Sequence, residues 1–190
     1  MKSICVYASS SEAVLDSYRA AAGRLGELIA EHGHDLVYGG GRVGLMGVCA
    51  RAVHACGGGR VVGVITDKLL DLELAYRDAD ELVVTDTMSE RKRIMAKRAD
   101  AFIALPGGFG TLEEVMEILV LKQLWYHEKP CVFLNVNGIY DHLFRFFEQL
   151  IAEHFIKESH TEFYHVCTTA EEAYAYLKTY VPKPVHGKWF

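Results

Sequence analysis

A glycine-rich turn near the middle of the chain has the composition of an anion-binding site. The sequence PGGFGT at residues 106–111 follows an apolar run that predicts a strand and precedes a pattern that predicts a helix. Glycines let the backbone turn with positive φ and point several N–H groups into one concavity. The start of a helix adds unpaired N–H donors and a partial positive charge. The turn therefore predicts a phosphate cradle without a side-chain cation, and a plain strand-to-helix turn is the alternative.

An acidic residue, Glu114, stands in the first turn of the helix predicted over residues 111–125. Thr111 followed by Glu114 three residues later also forms a capping box, and the two interpretations do not exclude each other. In both of them the carboxylate lies close to the glycine turn. Glu113 points about a quarter-turn away from Glu114, so only one of the two side chains can face a ligand there.

A basic helix is predicted over residues 88–98, with a capping box from Thr87 to Glu90 at its start. The helix contains these basic residues: Arg91, Lys92, Arg93, Lys97 and Arg98. The spacing i, i+3, i+7 and i+10 places four residues on one partly apolar stripe that is expected to face inward. They are Met88, Arg91, Met95 and Arg98. An arginine within such a stripe needs an anion, so Arg91 is the candidate for anion binding. Arg93 is expected to face solvent or a subunit contact.

A second glycine segment, GGGRVG at residues 39–44, matches the GxGxxG pattern. It follows the second predicted strand, whereas the dinucleotide fingerprint follows the first. The expected acidic residue is also misplaced, because the next strand, residues 61–65, runs into Thr66 before Asp67. Three interpretations stay open: substrate contact, a tight turn with close packing at Gly44 and Gly47, and NAD binding.

Short apolar runs alternate with longer helical patterns along the whole chain. The predicted strands are residues 3–8, 35–38, 61–65, 81–85, 101–105, 131–134 and 163–167. This alternation predicts an α/β fold, a Rossmann-like, doubly wound and mainly parallel sheet in a single domain over residues 1–190. Residues 181–190 are predicted to form an irregular tail. Ligands of such sheets lie beyond the carboxyl ends of the strands, where both glycine segments fall.

The composition favours a cytoplasmic protein with a small-molecule ligand. The net charge of −5 argues against a general nucleic-acid or membrane-surface binder, and the apolar run at the N-terminus is too short to span a membrane. Five scattered cysteines without a CxxC pair predict reduced thiols in the core. The nine histidines show no HExxH or similar spacing, so we do not expect a protein-bound zinc ion. We also expect no cofactor.

Three motifs together resemble the LONELY GUY (LOG) family of cytokinin riboside 5′-monophosphate phosphoribohydrolases. They are YGGGRVGLMG at residues 38–47, MSERK at residues 88–92 and PGGFGTLEE at residues 106–114. The motifs occur in the order and spacing of the family, and the resemblance covers nearly the whole chain. It implies a Rossmann-like fold, a homodimer and hydrolysis of AMP-like nucleotides without a metal.

The resemblance also implies roles for individual residues. Arg91 and Glu114 match the catalytic pair of the family. Ligands of the phosphate and ribose are matched by Lys92, Gly107, Gly108, Gly110 and Thr111. Further substrate contacts are matched by Glu73, Met88, Ser9 and Gly41. The chain departs from the family pattern at Ala8, Arg42, Ser89 and Val120, which affects the base pocket and leaves the catalytic motifs intact.

We therefore expect hydrolysis of the N-glycosidic bond of a purine nucleoside 5′-monophosphate, either AMP or a cytokinin-type nucleotide. The products are the free base and ribose 5-phosphate. A non-catalytic nucleotide-binding or carrier protein on the same fold is the first alternative, and a molybdenum-cofactor carrier would be one variant of it. A nicotinamide-dependent oxidoreductase built on residues 39–44 is the second alternative. Nothing in the sequence supports lysine decarboxylation, a label once given to many members of this family.

Overall fold

A computed structural model describes residues 1–72 and 74–182, and in these residues seven parallel strands form one sheet in the order β4-β3-β2-β1-β5-β6-β7. The predictions on Glu73 and on residues 183–190 of the tail lie outside the described residues. The strands are β1 Ser3–Tyr7, β2 Asp35–Tyr38, β3 Val61–Thr66, β4 Glu81–Thr85, β5 Ala101–Ala104, β6 Cys131–Leu134 and β7 His165–Cys167. The predicted α/β, doubly wound fold is confirmed.

Helices cover both faces of the sheet. They are α1 Asp16–Glu31, α2 Gly44–Cys56, α3 Asp67–Asp71, α4 Met88–Arg98, α5 Phe109–Gln123, α6 Asp141–Ala152 and α7 Ala170–Thr179. Alternate side chains of the strands point to opposite faces. In β1, Ile4 and Val6 pack in the layer of α1, α2 and α7, whereas Cys5 and Tyr7 pack in the layer of α4 and α5.

The start of α5 corrects one sequence prediction. The helix begins at Phe109, two residues before the predicted start, and Gly108 is its N-cap. Thr111 therefore lies inside the first turn, and the capping box from Thr111 to Glu114 is wrong. The cap predicted for α4 is present, because the Thr87 side chain accepts a hydrogen bond from the amide of Glu90 at 3.1 Å.

The expectation that the cysteines are thiols in the core is confirmed for four of the five and is wrong for Cys56. All five cysteines are free; Cys56 is exposed and the other four are buried in the core. No described helix is both long and apolar enough to cross a membrane. Within the described residues, no cluster of three or more histidine, cysteine or acidic side chains has the arrangement of a metal site.

The order of the strands reverses between β1 and β5. The chain adds β2, β3 and β4 on one side of β1, and α4 then returns it to the other side, where β5 pairs with β1. The two strand ends are joined by hydrogen bonds from the Leu105 amide to the Tyr7 carbonyl at 2.9 Å and from the Ser9 amide to the Pro106 carbonyl at 3.2 Å. Such a reversal is where open α/β sheets bind ligands.

Candidate active site

A buried ion pair joins α4 to α5 next to this reversal. Arg91 Nη1 donates a hydrogen bond to Glu114 Oε1 at 2.7 Å, and the two side chains are only 7% and 10% exposed. Arg91 Nε also donates to the carbonyl of Val64 in β3 at 2.9 Å. A Cβ at Gly39 would lie 2.1 Å from Arg91 Nη2, so only glycine leaves room there for the guanidinium group. Three separate elements therefore fix the position of Arg91.

Burial makes the Glu114 carboxylate more basic than an ordinary glutamate. Loss of solvent raises the pKa of Glu114, and the positive charge of Arg91 lowers it by a smaller amount, so that the net shift is upward. A desolvated carboxylate with a fixed cation beside it can stabilise a positive charge that develops on a ligand. It can also accept a proton from a water molecule.

A second set of ion pairs joins the same two helices on their outer side. Lys92 Nζ contacts Glu113 and lies 2.6 Å from Glu117 Oε2. The Lys92 side chain is 16% exposed, whereas that of Glu113 is 54% exposed. Glu113 and Glu114 thus face different directions, as the helical geometry predicts. Lys92, which the family resemblance assigns to the substrate, is held among acidic side chains.

The glycine turn leaves open space at the N-terminus of α5. A Cβ at Gly107 would lie 2.0 Å from Thr111 Oγ1, so this glycine packs against the buried threonine. A Cβ at Gly108 or Gly110 would meet no atom within 4 Å. The amides of the first turn cannot be bonded by carbonyls of their own helix. The turn therefore has the shape and polarity expected of an anion-binding site, and we call residues 107–111 the glycine seat. Glu114 lies one helical turn below Gly110.

The described residues among the other predicted contacts lie on three separate segments of the chain. Ser9 follows β1, and its carbonyl accepts a hydrogen bond from the Leu45 amide at 2.9 Å. Gly41 forms an isolated antiparallel bridge with Ala75. Met88 is the first residue of α4 and is half-exposed. Glu73 lies outside the described residues, so its predicted substrate contact stays a prediction.

The structure supports the packing interpretation of the first glycine segment. Gly44 has φ +59°, and a Cβ there would lie 2.6 Å from the Ser9 carbonyl oxygen. A Cβ at Gly47 would lie 1.9 Å from the Arg42 carbonyl oxygen. Both glycines therefore allow a close approach of backbone that no other residue permits.

The stripe predicted on α4 is only partly buried. Arg91 and Met95 are buried, whereas Met88 is half-exposed and Arg98 forms an ion pair with Glu81 at 2.6 Å. The expected outward direction of Arg93 agrees with its side chain, which is 67% exposed.

Two supporting residues were missed by sequence reasoning. Gly39 provides the space for Arg91, and the buried Tyr140 hydroxyl donates to the Leu105 carbonyl at 2.6 Å, which supports the end of β5. Tyr140 is 35 residues away from its partner, and no local pattern marks such a contact. The sequence shows Gly39 as the first residue of the GGG segment, but it does not indicate that Arg91 on α4 lies against it.

Fold and site together define a Rossmann-like α/β protein with a glycine turn at its topological switch point and a buried Arg–Glu pair beside it. Comparisons with known proteins agree. The family model described as "Possible lysine decarboxylase" matches residues 46–177. The cytokinin riboside 5′-monophosphate phosphoribohydrolase LOG of Oryza sativa subsp. japonica is 45% identical, over 95% of this chain and 74% of that protein. LOG3 of Arabidopsis thaliana is 43% identical, over 94% and 83%. The chain belongs to the LOG family.

Solved structures share the fold. The molybdenum cofactor carrier protein of Chlamydomonas reinhardtii aligns with a TM-score of 0.72 at 25% identity, over 93% of this chain and 96% of its own. A molybdenum cofactor binding protein of Rippkaea orientalis aligns with a TM-score of 0.72 at 23% identity, over 94% and 97%. At these identities the likeness concerns the arrangement of strands and helices.

Proposed function

We propose that the protein hydrolyses the N-glycosidic bond of AMP or a cytokinin-type nucleoside 5′-monophosphate to the free base and ribose 5-phosphate. The observation that carries the proposal is the buried pair of Arg91 and Glu114, one helical turn from the glycine seat. The curated relatives that match nearly the whole chain are named as phosphoribohydrolases of such nucleotides. Their names specify a substrate with the phosphate, ribose and base that this site would have to hold.

The glycine seat would bind the 5′-phosphate. Gly108 and Gly110 leave the space, and the first-turn amides of α5 provide the donors. Phosphate binding is remote from the reacting bond, so its free energy can be used to orient C1′ above Glu114. A nucleoside without phosphate would lose this orientation and react more slowly.

Glu114 would act on the ribose side of the reaction. Cleavage of the bond between C1′ and the base nitrogen leaves the electron pair on the base and positive charge on the ribosyl group. The carboxylate stabilises that charge and takes a proton from the water molecule whose oxygen attacks C1′. The leaving base gains one proton, so the net reaction consumes one water. Arg91 holds the carboxylate in place and contributes a cation for ligand oxygens.

A product assay tests this proposal. The protein is incubated with AMP, an N6-prenylated AMP, GMP, CMP and adenosine side by side, and the free base is measured. We expect base release from the purine monophosphates and much slower release from adenosine. Equal turnover of adenosine and AMP would contradict the role of the phosphate seat, and no release from any nucleotide would contradict hydrolysis.

A carrier or binding protein is the second candidate function. It is favoured by the close structural match to the Chlamydomonas reinhardtii carrier. The same assay separates the two candidates, because a carrier would bind a nucleotide-like ligand without releasing base. The pair of Glu114 and Arg91 counts against a carrier. Burial raises the pKa of the Glu114 carboxylate, and carboxylates with a pKa shifted in this way are frequent at catalytic sites.

We also propose a cytoplasmic homodimer. Val120 on α5, Leu124 directly after α5 and Phe146 on α6 are exposed apolar side chains, and such side chains are frequent at subunit interfaces. Four buried free thiols are typical of a reducing compartment. Light scattering after size-exclusion chromatography tests the dimer, and Val120→Asp should shift the mass towards the monomer.

A further inference from the structure

The connection between β3 and β4 contains little regular structure. It begins with the five-residue helix α3, and its later part, residues 74–80, packs beside α2. Residues 74–76 are joined to the glycine loop after β2 by two hydrogen bonds. The Arg42 amide donates to the Leu74 carbonyl and the Tyr76 amide donates to the Gly40 carbonyl, both at 2.8 Å. These bonds flank the bridge between Gly41 and Ala75.

Three side chains outside the glycine loop link this connection to α2. Tyr76 Oη lies 2.9 Å from His54 Nδ1, and His54 Nε2 lies 3.0 Å from Asp80 Oδ2. The same Asp80 oxygen accepts a hydrogen bond from the Val61 amide at 2.7 Å. We call this arrangement the Tyr76–His54–Asp80 chain. It links residues 76 and 80 of the connection through one imidazole ring on α2 to the start of β3.

The polarity of the chain is set at its acidic end. The Val61 amide, with His54 as the next contributor, lowers the pKa of Asp80 and keeps the carboxylate ionised. An ionised Asp80 accepts hydrogen bonds only, so His54 Nε2 carries a proton towards it. In a neutral ring, Nδ1 is then the acceptor for the Tyr76 hydroxyl. A single histidine thereby satisfies two partners on opposite sides of its ring.

We propose that the Tyr76–His54–Asp80 chain positions the glycine loop for the nucleotide, with His54 as a positioning residue. The path is continuous. The chain fixes Tyr76, the Tyr76 amide fixes Gly40, and the neighbouring Gly39 lies against the guanidinium group of Arg91. Arg91 has its own contacts with Glu114 and Val64. Loosening the loop should therefore weaken substrate binding more than it slows the chemical step. The kinetic part of this inference rests on the proposed function.

The first test uses Tyr76→Phe and His54→Leu, which remove the hydroxyl and the ring nitrogens and keep apolar bulk. We expect the KM for AMP to rise about three- to tenfold in each variant, as for the loss of one hydrogen bond, while kcat changes less. The double variant should be little worse than either single variant, because both changes break the same link. Additive effects or an unchanged KM would overturn the inference.

A second readout does not depend on turnover. Amide hydrogen exchange of the free protein reports the two bonds of the bridge, those of the Arg42 and Tyr76 amides. Both amides should exchange faster in Tyr76→Phe, whereas amides in the middle of β1 should not change. Unaltered exchange at both positions would contradict the proposal even if the enzyme is active. If the wild type does not release base, the affinity for AMP is measured by calorimetry instead of KM. The proposed hydrolysis and the proposed positioning of the glycine loop can then fail independently of each other.

The matched control is Glu171→Gln. It removes a surface ion pair with Arg24, between α1 and α7, at 2.7 Å and remote from the glycine loop. This variant weakens a polar contact between two helices that has no hydrogen bond to residues 39–41. Its KM and the exchange of the bridge amides should match those of the wild type. If Glu171→Gln raised KM as much as Tyr76→Phe does, the effect would be one of general stability and the proposal would be wrong.

Discussion

Two sets of ion pairs connect α4 to α5, and their residues are neighbours in the sequence. Arg91 and Glu114 form the inner pair, which is buried, whereas Lys92, Glu113 and Glu117 form the outer set near solvent. The residue types are nearly the same in both. Burial makes the difference, because a charge removed from water interacts more strongly with its partner and is more harmful without it. We therefore expect chemistry from the inner pair and only modest stabilisation from the outer set.

The largest expected effect comes from Glu114→Gln. The amide keeps the shape of the side chain but can neither accept a proton nor stabilise a cation as a carboxylate does, so kcat should fall about 10²- to 10⁴-fold. Steady-state kinetics of base release measures this effect. The melting temperature should also fall, because Arg91 stays buried without a negative partner, but by less than in Arg91→Met, because the amide oxygen of Gln can still accept the hydrogen bond. Glu113→Gln is the matched control and should retain nearly full kcat. A Glu114→Gln variant that mainly unfolds would assign the residue a structural role instead.

Removal of the inner cation should affect stability most. Arg91→Met leaves the Glu114 carboxylate buried without a partner, and the free energy of unfolding should fall by about 3–5 kcal/mol. The same substitution in the outer set, Lys92→Met, should lower it by no more than about 1 kcal/mol. Urea unfolding measures both values. If the free energy of unfolding fell equally in the two variants, burial would not make the inner pair more important for stability than the outer set.

The glycine turn offers a comparison of the same kind between two adjacent residues. Gly107→Ala would place a methyl group against Thr111 and should lower stability by about 1–3 kcal/mol through overpacking. Gly108→Ala has open space and should keep the wild-type stability. Its methyl group would enter the seat, and the KM for AMP should rise about tenfold, as for loss of a hydrogen bond to a charged group. An unchanged KM in Gly108→Ala would argue against phosphate binding there.

The smallest expected effect is a displacement of the pH profile. Because burial raises the pKa of Glu114, the carboxylate should become protonated, and kcat/KM should fall, at a higher pH than for an exposed glutamate. Arg91 lowers this pKa, so residual activity of Arg91→Met should decline at a still higher pH. Glu117→Gln should leave the acid limb in place. An acid limb at the pH of an ordinary glutamate would contradict Glu114 as the titrating group.

Much of this fold could be predicted because its signals are local. The apolar runs of β2, β4 and β6 and the capped basic pattern of α4 give the bounds that the structure has. The start of α5 was misplaced because Thr111 and Glu114 imitate a capping box, whereas the helix continues back through Gly110 to Phe109. Because glycine has low helix propensity, the sequence pattern places the start of this helix two residues too late in the chain.

The contacts that shape the site are distant in sequence and were less accessible. The inward direction of Arg91 followed from its stripe, but its bonds to Val64 and its proximity to Gly39 depend on the order of strands in the sheet. The link between Tyr76 and His54 depends on how an irregular connection lies beside α2. Periodicity contains no information on either contact, because both arise only after the elements have been packed together.

The reversal of strand order has a consequence for assembly of the protein. Arg91 lies on α4, the helix that crosses back over the sheet, and Glu114 follows only after β5 has been added on the far side of β1. A nascent chain released up to residue 100 would already contain β1 to β4 and α4. Arg91 would be present in it, whereas its partner Glu114 would not. Recovery of base release during refolding should thus report the docking of the two halves rather than the formation of either one.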